Sequence, residues 1–191
     1  MKKLKIEVEK YIQGGIDMEW EEFSSQLSVH TASKREIIFS QTDICDKVIY
    51  ILEGIAASEY NEDDKFIISR FFQSGNLCSN MISAVSKTIK SDNVIAITDM
   101  KYLAIPFDYF MKVYLYADKM GIFFRKKVLE HLLEAKNIIS IKTSSLTELQ
   151  YSFLEENYPE IIAKTPSKYI AAFIGITPES LSRFLKQRIS S

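Results

Sequence analysis

Hydrophobic residues follow two different periods along the chain, and the period changes twice. Near the N-terminus, apolar residues recur three and four positions apart, which predicts helices over 4–13 and 17–27. Short β-branched or aromatic runs then alternate with turn residues, which is typical of an antiparallel barrel or sandwich. The predicted strands cover residues 36–39, 47–52, 55–60, 65–72, 93–98 and 101–105.

A helical period returns after Pro106 and predicts helices over 107–116, about 118–141 and 146–157. The second of these helices is long, about 24 residues or roughly 36 Å. Its apolar stripe comprises Met120, Phe123, Phe124, Val128, Leu132, Ala135, Ile138 and Ile139. We expect the domain formed by the predicted strands to cover part of the stripe, and the same helix of a second copy to cover the remainder. The alternative is a helix covered wholly within one chain.

The last two dozen residues carry the most specific pattern, two short helices joined by a tight turn. Gly175 stands where a helix C-cap requires the left-handed conformation. Thr177 suits the N-cap of the next helix, and Pro178 suits its first position. The apolar residues of that second helix are Leu181, Phe184 and Leu185. Polar and basic residues occupy its other faces, which is the helix-turn-helix pattern of DNA readers.

These elements predict an α+β chain with two domains. Residues 1–142 hold the antiparallel strands, their flanking helices and the long helix at about 118–141. Residues 143–191 hold an all-α helix-turn-helix domain. The boundary is placed just past the long helix, because no linker rich in glycine or serine marks another position.

Charge and composition restrict the function classes. The chain has 191 residues and a net charge of −1, so overall charge does not favour nucleic acid. Residues 168–191, however, contain four basic residues and one acidic residue. No apolar run approaches the length of a membrane span, and no signal peptide is apparent. We therefore expect a cytoplasmic protein with no membrane contact.

Candidate chemistry for catalysis or metal binding is missing from the sequence. Two cysteines, Cys45 and Cys78, cannot supply a four-thiolate zinc or iron–sulfur site. His30 and His131 have no partner at a metal-ligand spacing, so we expect structural or surface roles for both. Without a nucleophile–base pair or a metal signature, an enzyme is not expected.

The order of these parts resembles the Crp/Fnr family of bacterial transcription regulators. In that family a β-roll of the cyclic-nucleotide-binding type precedes a long dimerisation helix and a C-terminal helix-turn-helix. The most specific match is residues 170–183, IAAFIGITPESLSR, and residues 50–54, YILEG, resemble a strand and turn of the β-roll. Residues 151–161 resemble the helix that precedes the DNA reader in the Bacteroidetes-type branch of the family. The resemblance implies an N-terminal antiparallel β-roll and an effector-responsive homodimer that binds double-stranded DNA, with RNA polymerase as a further partner.

The resemblance implies DNA contacts from Lys168, Thr177, Glu179, Ser180, Ser182, Arg183, Lys186 and Arg188. The family positions matched by Glu179 and Arg183 reach base edges, since a carboxylate accepts from cytosine and a guanidinium binds guanine. Glu179 would also suit the helix dipole without any DNA contact. The residue matched by Thr177 caps the helix and touches phosphate. The two serines suit phosphate or base, and the other three residues are phosphate contacts by charge.

The ligand pocket departs from the family pattern. Asn80 stands where nucleotide-binding members have a glutamate, and Lys90 or Ser91 stands near the position of an arginine. An amide and an ammonium do not reproduce the hydrogen bonding of those groups, so cyclic AMP is not expected to bind in the usual way. Ser79, Asn80, Lys90 and Ser91 would line a pocket for another, unidentified small molecule; the alternative is that they are ordinary loop residues.

A second departure concerns the C-terminal wing of many relatives, which grips the DNA backbone. The sequence has no wing between the second short helix and Ser191. A natural short form and a truncation would both have this ending. Two function hypotheses remain. The first is a sequence-specific transcription regulator; the alternative is a small-molecule sensor or protein-interaction module with a vestigial DNA-binding half.

Overall fold

The computed structural model describes residues 1–11, 16–63, 65–89, 92–144 and 146–189. Its strands are β1 (Ser28–Ala32), β2 (Ile37–Phe39), β3 (Lys47–Glu53), β4 (Ile55–Glu62), β5 (Lys65–Gln73), β6 (Leu77–Cys78), β7 (Asn93–Ala96) and β8 (Met100–Pro106). Its helices are α1 (Lys2–Tyr11), α2 (Asp17–Ser25), α3 (Met81–Ser86), α4 (Phe107–Tyr116), α5 (Lys119–Lys142), α6 (Thr147–Asn157), α7 (Pro159–Lys164), α8 (Ser167–Ile174) and α9 (Pro178–Ile189). Antiparallel strands followed by helices confirm the predicted mixture of elements.

The strands form two antiparallel four-stranded sheets, in the orders β1-β8-β3-β6 and β2-β7-β4-β5. The chain passes from one sheet to the other at Gly54, between β3 and β4. Gly54 has φ +95°, and a Cβ there would lie 2.5 Å from the carbonyl oxygen of Asp99. Glycine is required at this crossing because any side chain would meet both the positive φ and the neighbouring backbone.

Residues of β4, β5 and β7 alternate between two hydrophobic clusters, as the two-residue period of a strand dictates. Val94 and Ala96 belong to the cluster inside the β-region, whereas Ile95 and Ile97 face the second cluster. The second cluster also contains buried residues of α6, α8 and α9. The C-terminal helices therefore pack on the outer face of the β2-β7-β4-β5 sheet.

The long helix α5 spans 24 residues, in agreement with the prediction. Met120, Phe123, Phe124 and Ile138 of the predicted stripe are buried within the chain. Leu132 and Ile139 are instead 60% and 64% exposed, because they lie at the edge of the buried face. Other exposed apolar residues of α5 are Ile122, Leu129 and Leu133. One face of α5 is thus covered by its own chain, and a second apolar face is not.

Four elements have no sequence prediction: β1, β6, α3 and α7. Four of the five residues of β1 are exposed, so it lacks an alternating pattern, and it is held by pairing with β8 from Ser28↔Ala104 to Ala32↔Met100. Helix α3 occupies part of the segment predicted to be a pocket loop. Within the described ranges, no helix combines the length and apolarity needed to cross a bilayer.

Candidate nucleic-acid interface

The turn between α8 and α9 is built as the sequence predicts. Gly175 has φ +83°, and its N–H donates to the carbonyl oxygen of Ala171 at 2.8 Å. Thr177 caps α9, because its hydroxyl accepts a hydrogen bond from the backbone N–H of Ser180 at 3.2 Å. Helix α9 begins at Pro178. The predicted C-cap, N-cap and first helical residue are therefore confirmed.

Four of the predicted DNA-contacting residues share one exposed face of α9. Glu179, Ser182, Arg183 and Lys186 are all exposed, and they recur at spacings of three and four residues. We call these four residues the α9 stripe. On the opposite side of the helix, Leu181 is buried within the second hydrophobic cluster. Packing therefore uses one side of α9 and leaves the stripe at the surface.

Local hydrogen bonds orient the polar groups at the start of the stripe. The hydroxyl of Ser180 accepts from Nη2 of Arg183 at 3.3 Å and from the hydroxyl of Thr177 at 3.2 Å. A hydrogen bond from its own backbone N–H lowers the pKa of the exposed Glu179 carboxyl. The stripe thus presents an ionised carboxylate beside a guanidinium, two groups that pair with base edges.

Two other predicted contacts lie away from the stripe. Arg188 forms ion pairs with Glu148 at 3.0 Å and Glu155 at 2.5 Å, both on α6. These contacts hold α9 against α6. Lys168 lies in the first turn of α8, exposed, with its Nζ 4.5 Å from the centre of the Tyr169 ring. The structure therefore gathers four of the eight residues on the stripe, with Thr177 and Ser180 at its N-terminal end.

Helix α8, in contrast to α9, provides the face that docks on the β-region. The ring of Phe173 lies 5.4 Å from that of Phe71, and the ring of Tyr169 lies 5.8 Å from that of Phe66. Both partners belong to β5. The contact with the body of the subunit is thus made by α8 and does not cover the α9 stripe.

The predicted effector residues have structural partners of their own. Asn80 caps α3 by accepting from the N–H of Ser83, and its amide donates to Asp92, each at 3.3 Å. The second oxygen of Asp92 accepts from the Ser58 hydroxyl at 2.9 Å. Ser79 donates to the carbonyl oxygen of Lys47 at 3.1 Å. Lys90 and Ser91 lie outside the described residues.

A cavity of about 230 Å³ lies beside Ser79, between the β1-β8-β3-β6 sheet and α5. Its lining is mainly apolar and includes Val48, Leu77, Phe110, Val128 and Leu132. His131, Ser79 and Lys127 supply polar groups to the wall, and the Lys127 ammonium is ion-paired with Glu7 at 2.5 Å and with Glu130 at 3.4 Å. Burial, and secondarily the charge of Arg70, lower the pKa of His131 to about 4, so its ring is neutral at pH 7. The cavity therefore suits a small uncharged molecule.

A buried polar network beside this cavity has no counterpart in the sequence analysis. Arg70 on β5 donates to Nε2 of His131 at 2.8 Å and forms an ion pair with Glu134. A guanidinium only donates, so Nε2 accepts and the ring proton of His131 resides on Nδ1. The hydroxyl of Tyr158, at the end of α6, also donates to Glu134. Separations of 64 and 24 residues along the chain leave no local signal for these contacts.

Comparison with known proteins agrees with this architecture. Residues 29–116 match the family model described as "Cyclic nucleotide-binding domain". No curated protein sequence matches this chain significantly. The chain is similar in structure to FixK2 from Bradyrhizobium japonicum, with 17% identity, a TM-score of 0.70, and coverage of 86% of this chain and 85% of that chain.

Two further structures are similar. One is a cyclic nucleotide-binding domain containing protein from Listeria monocytogenes, at 16% identity and TM-score 0.69, covering 91% of this chain and 86% of that chain. The other is a putative transcriptional regulator of the crp/fnr family from Eubacterium rectale, at 18% identity and TM-score 0.65. The match covers 87% of this chain and 80% of that chain. At these identities the likeness concerns the fold. The chain therefore has the cyclic nucleotide-binding fold followed by C-terminal helices, an architecture that it shares with these three structures.

Proposed function

We propose that the protein is a sequence-specific DNA-binding transcription regulator that acts as a homodimer in the cytoplasm and responds to a small effector. The α9 stripe is the observation that carries this proposal. Its carboxylate, hydroxyl and two cations stand on the exposed side of a helix whose other side is fixed by Leu181 and by Arg188. A helix held in this way can enter the major groove with its polar face toward the base edges.

The homodimer is supported by the uncovered face of α5. Leu129, Leu132 and Leu133 are 55–60% exposed, and Ile122 and Ile139 continue the apolar face in both directions. The positions recur at three, four and seven residues, the spacing by which two helices pack along a common seam. A two-fold axis through α5 would present two α9 stripes to half-sites about 34 Å apart. Regulation then requires an effect on RNA polymerase, the expected further partner.

The effector is proposed to occupy the 230 Å³ cavity and to be a small uncharged molecule instead of a cyclic nucleotide. A cyclic phosphate needs a positive partner, but Lys127 in the cavity wall is already paired with Glu7 and Glu130, and nearby Arg70 is paired with Glu134. In addition, the amide of Asn80, at the glutamate position of nucleotide-binding members, already donates to Asp92. An apolar ligand beside α5 would press on the helix that joins the two subunits.

A vestigial DNA-binding half is the alternative, and the exposed stripe argues against it. Glu179 suits the helix dipole in either case, but a module that no longer reads DNA gives no role to Arg183 and Lys186 on the same exposed face. The near-neutral total charge is compatible with DNA binding, because the phosphate contacts are local to the C-terminal helices.

The test is selection of bound sequences from a random duplex library at low salt, followed by affinity measurements on the selected site. We expect a palindromic site with two half-sites. Loss of a bidentate contact to guanine costs about 1–3 kcal/mol, so Arg183→Ala should weaken binding by about 5- to 150-fold and relax specificity at one base position. Lys101→Ala removes the same charge from the exposed surface of β8 and is the matched control. Failure of the wild-type chain to select any sequence would refute the proposal.

A further inference from the structure

Lys142, the last residue of α5, lies where α5, the β-region and the C-terminal helices meet. Its Nζ donates to the carbonyl oxygen of Ile68 at 2.9 Å and to the carbonyl oxygen of Phe173 at 2.7 Å. The ammonium also lies 4.4 Å from the centre of the Phe173 ring. One side chain therefore contacts the edge strand β5 and the docked helix α8 at the same time.

The two carbonyl groups belong to different kinds of structure, a helix terminus and an edge strand. Phe173 is in the last turn of α8, where carbonyl oxygens have no partner within the helix. Ile68 lies on β5, the outer strand of its sheet, beside a shift in register between Ser58↔Arg70 and Glu59↔Ile68. A cation near the C-terminal end of a helix is also favoured by the helix dipole. Lys142 therefore joins two acceptors on two different units of the fold.

The other contacts between α8 and β5 are aromatic and apolar, such as Phe71 with Phe173. Apolar contacts are non-directional and tolerate small displacements, whereas hydrogen bonds require a donor–acceptor distance near 3 Å and a narrow range of angles. A groove of about 430 Å³ opens beside Lys142, between Phe66 of β5 and the 172–177 segment. The groove leaves space for α8 to shift along β5 if the hydrogen bonds are removed.

We propose that Lys142 is a positioning residue for DNA recognition. It fixes α8 on the edge of the β-region and thereby sets the separation of the two α9 stripes in the dimer. This inference rests on the proposed function for its consequence on DNA, but the positioning itself is a property of the free protein.

The proposal predicts a change in spacing tolerance, which loss of stability alone does not produce. The wild-type protein should prefer one half-site spacing, with at least a 10-fold loss of affinity when a base pair is inserted or deleted between half-sites. Lys142→Met keeps the length of the side chain and removes the donors, and it should reduce that discrimination to about 3-fold or less. Lys142→Arg retains two donors and should restore it. Lys112→Met, an exposed lysine of α4, is the charge-matched control.

Hydrogen exchange on the free protein tests the positioning without DNA. Lys142→Met should raise exchange at least 10-fold in the amides of α8 and of the β5 edge, and leave β3 unchanged. A wild-type spacing profile in Lys142→Met, unchanged exchange in α8, or a uniform increase that includes β3 would each overturn the inference. If wild type binds no DNA while α8 alone exchanges faster in Lys142→Met, the proposed function fails and the positioning role stands.

Discussion

Replacement of Leu133 by alanine tests whether the uncovered face of α5 is the dimer seam. Leu133 is 57% exposed in the single chain and lies among the exposed leucines of this helix. Leu115 on α4 is 53% exposed but lies outside that face, so it provides a control of the same residue type and nearly the same exposure. Neither substitution should disturb the core of the subunit.

The expected effect follows from the area that remains to be buried. Full burial of a leucine side chain contributes about 2 kcal/mol, and just over half of Leu133 is still exposed, which gives about 1 kcal/mol for each copy. Because a two-fold interface contains both copies, Leu133→Ala should cost the dimer about 2 kcal/mol, or about 30-fold in its dissociation constant. Leu115→Ala should change that constant by less than about 2-fold.

Sedimentation equilibrium of the two variants and the wild type measures the dissociation constants directly. Thermal unfolding of the monomeric fraction confirms that each variant folds. The interpretation of α5 as the seam is refuted if Leu133→Ala and Leu115→Ala dissociate to the same extent. A wild-type chain that remains monomeric at high micromolar concentration would refute it as well.

Three further experiments test the polar groups. Tyr158→Phe removes a donor to the carboxylate of Glu134 and should lower the free energy of unfolding by about 1.5–3 kcal/mol in urea titrations, whereas Tyr116→Phe, at an exposed residue, should have no effect. Burial lowers the pKa of Lys142 to about 8, and an unfolded lysine titrates near 10.4, so the unfolded chain binds more protons between these values. The free energy of unfolding of wild type minus that of Lys142→Met should therefore rise between pH 8 and pH 10.4, by on the order of 2 kcal/mol after allowance for partial exposure. A difference that does not change with pH contradicts this. Millimolar cyclic AMP should leave the melting temperature unchanged, because the cations at the cavity, Lys127 and Arg70, are already paired with carboxylates; an increase of several degrees would contradict the proposed effector class.

The parts of the fold that the sequence predicts are those with a strong local signal. Strands such as β3, buried without interruption from Val48 to Leu52, appear as apolar runs, and α5 appears as a long helical period. The turn at Gly175 was predictable because left-handed backbone and helix caps restrict the residue type. In contrast, β1 exists because β8 offers it a partner, and α3 is capped by Asn80, which the family resemblance placed in a ligand pocket.

The candidate interface shows the same division between local and distant information. The α9 stripe follows from helical spacing once Leu181 identifies the buried side. The role of Arg188 does not, because its partners Glu148 and Glu155 are more than thirty positions away and only the packing of α9 on α6 brings them together. Likewise, the two acceptors of Lys142 are separated from it by 74 and 31 positions.

The position of β5 at the end of its sheet explains why the C-terminal helices and the β-region are coupled. An edge strand exposes unpaired backbone groups and has to be covered, and α8 provides that cover. Complete undocking would expose Ile68, Phe71 and Phe173, each at most 3% exposed, at about 2 kcal/mol for each side chain or about 6 kcal/mol in total. A small effector of limited binding energy does not supply such an amount readily, because a ligand shifts an equilibrium only by its differential affinity. The reading helices are therefore expected to move by small displacements of α8 along β5, which is the motion that the hydrogen bonds of Lys142 oppose.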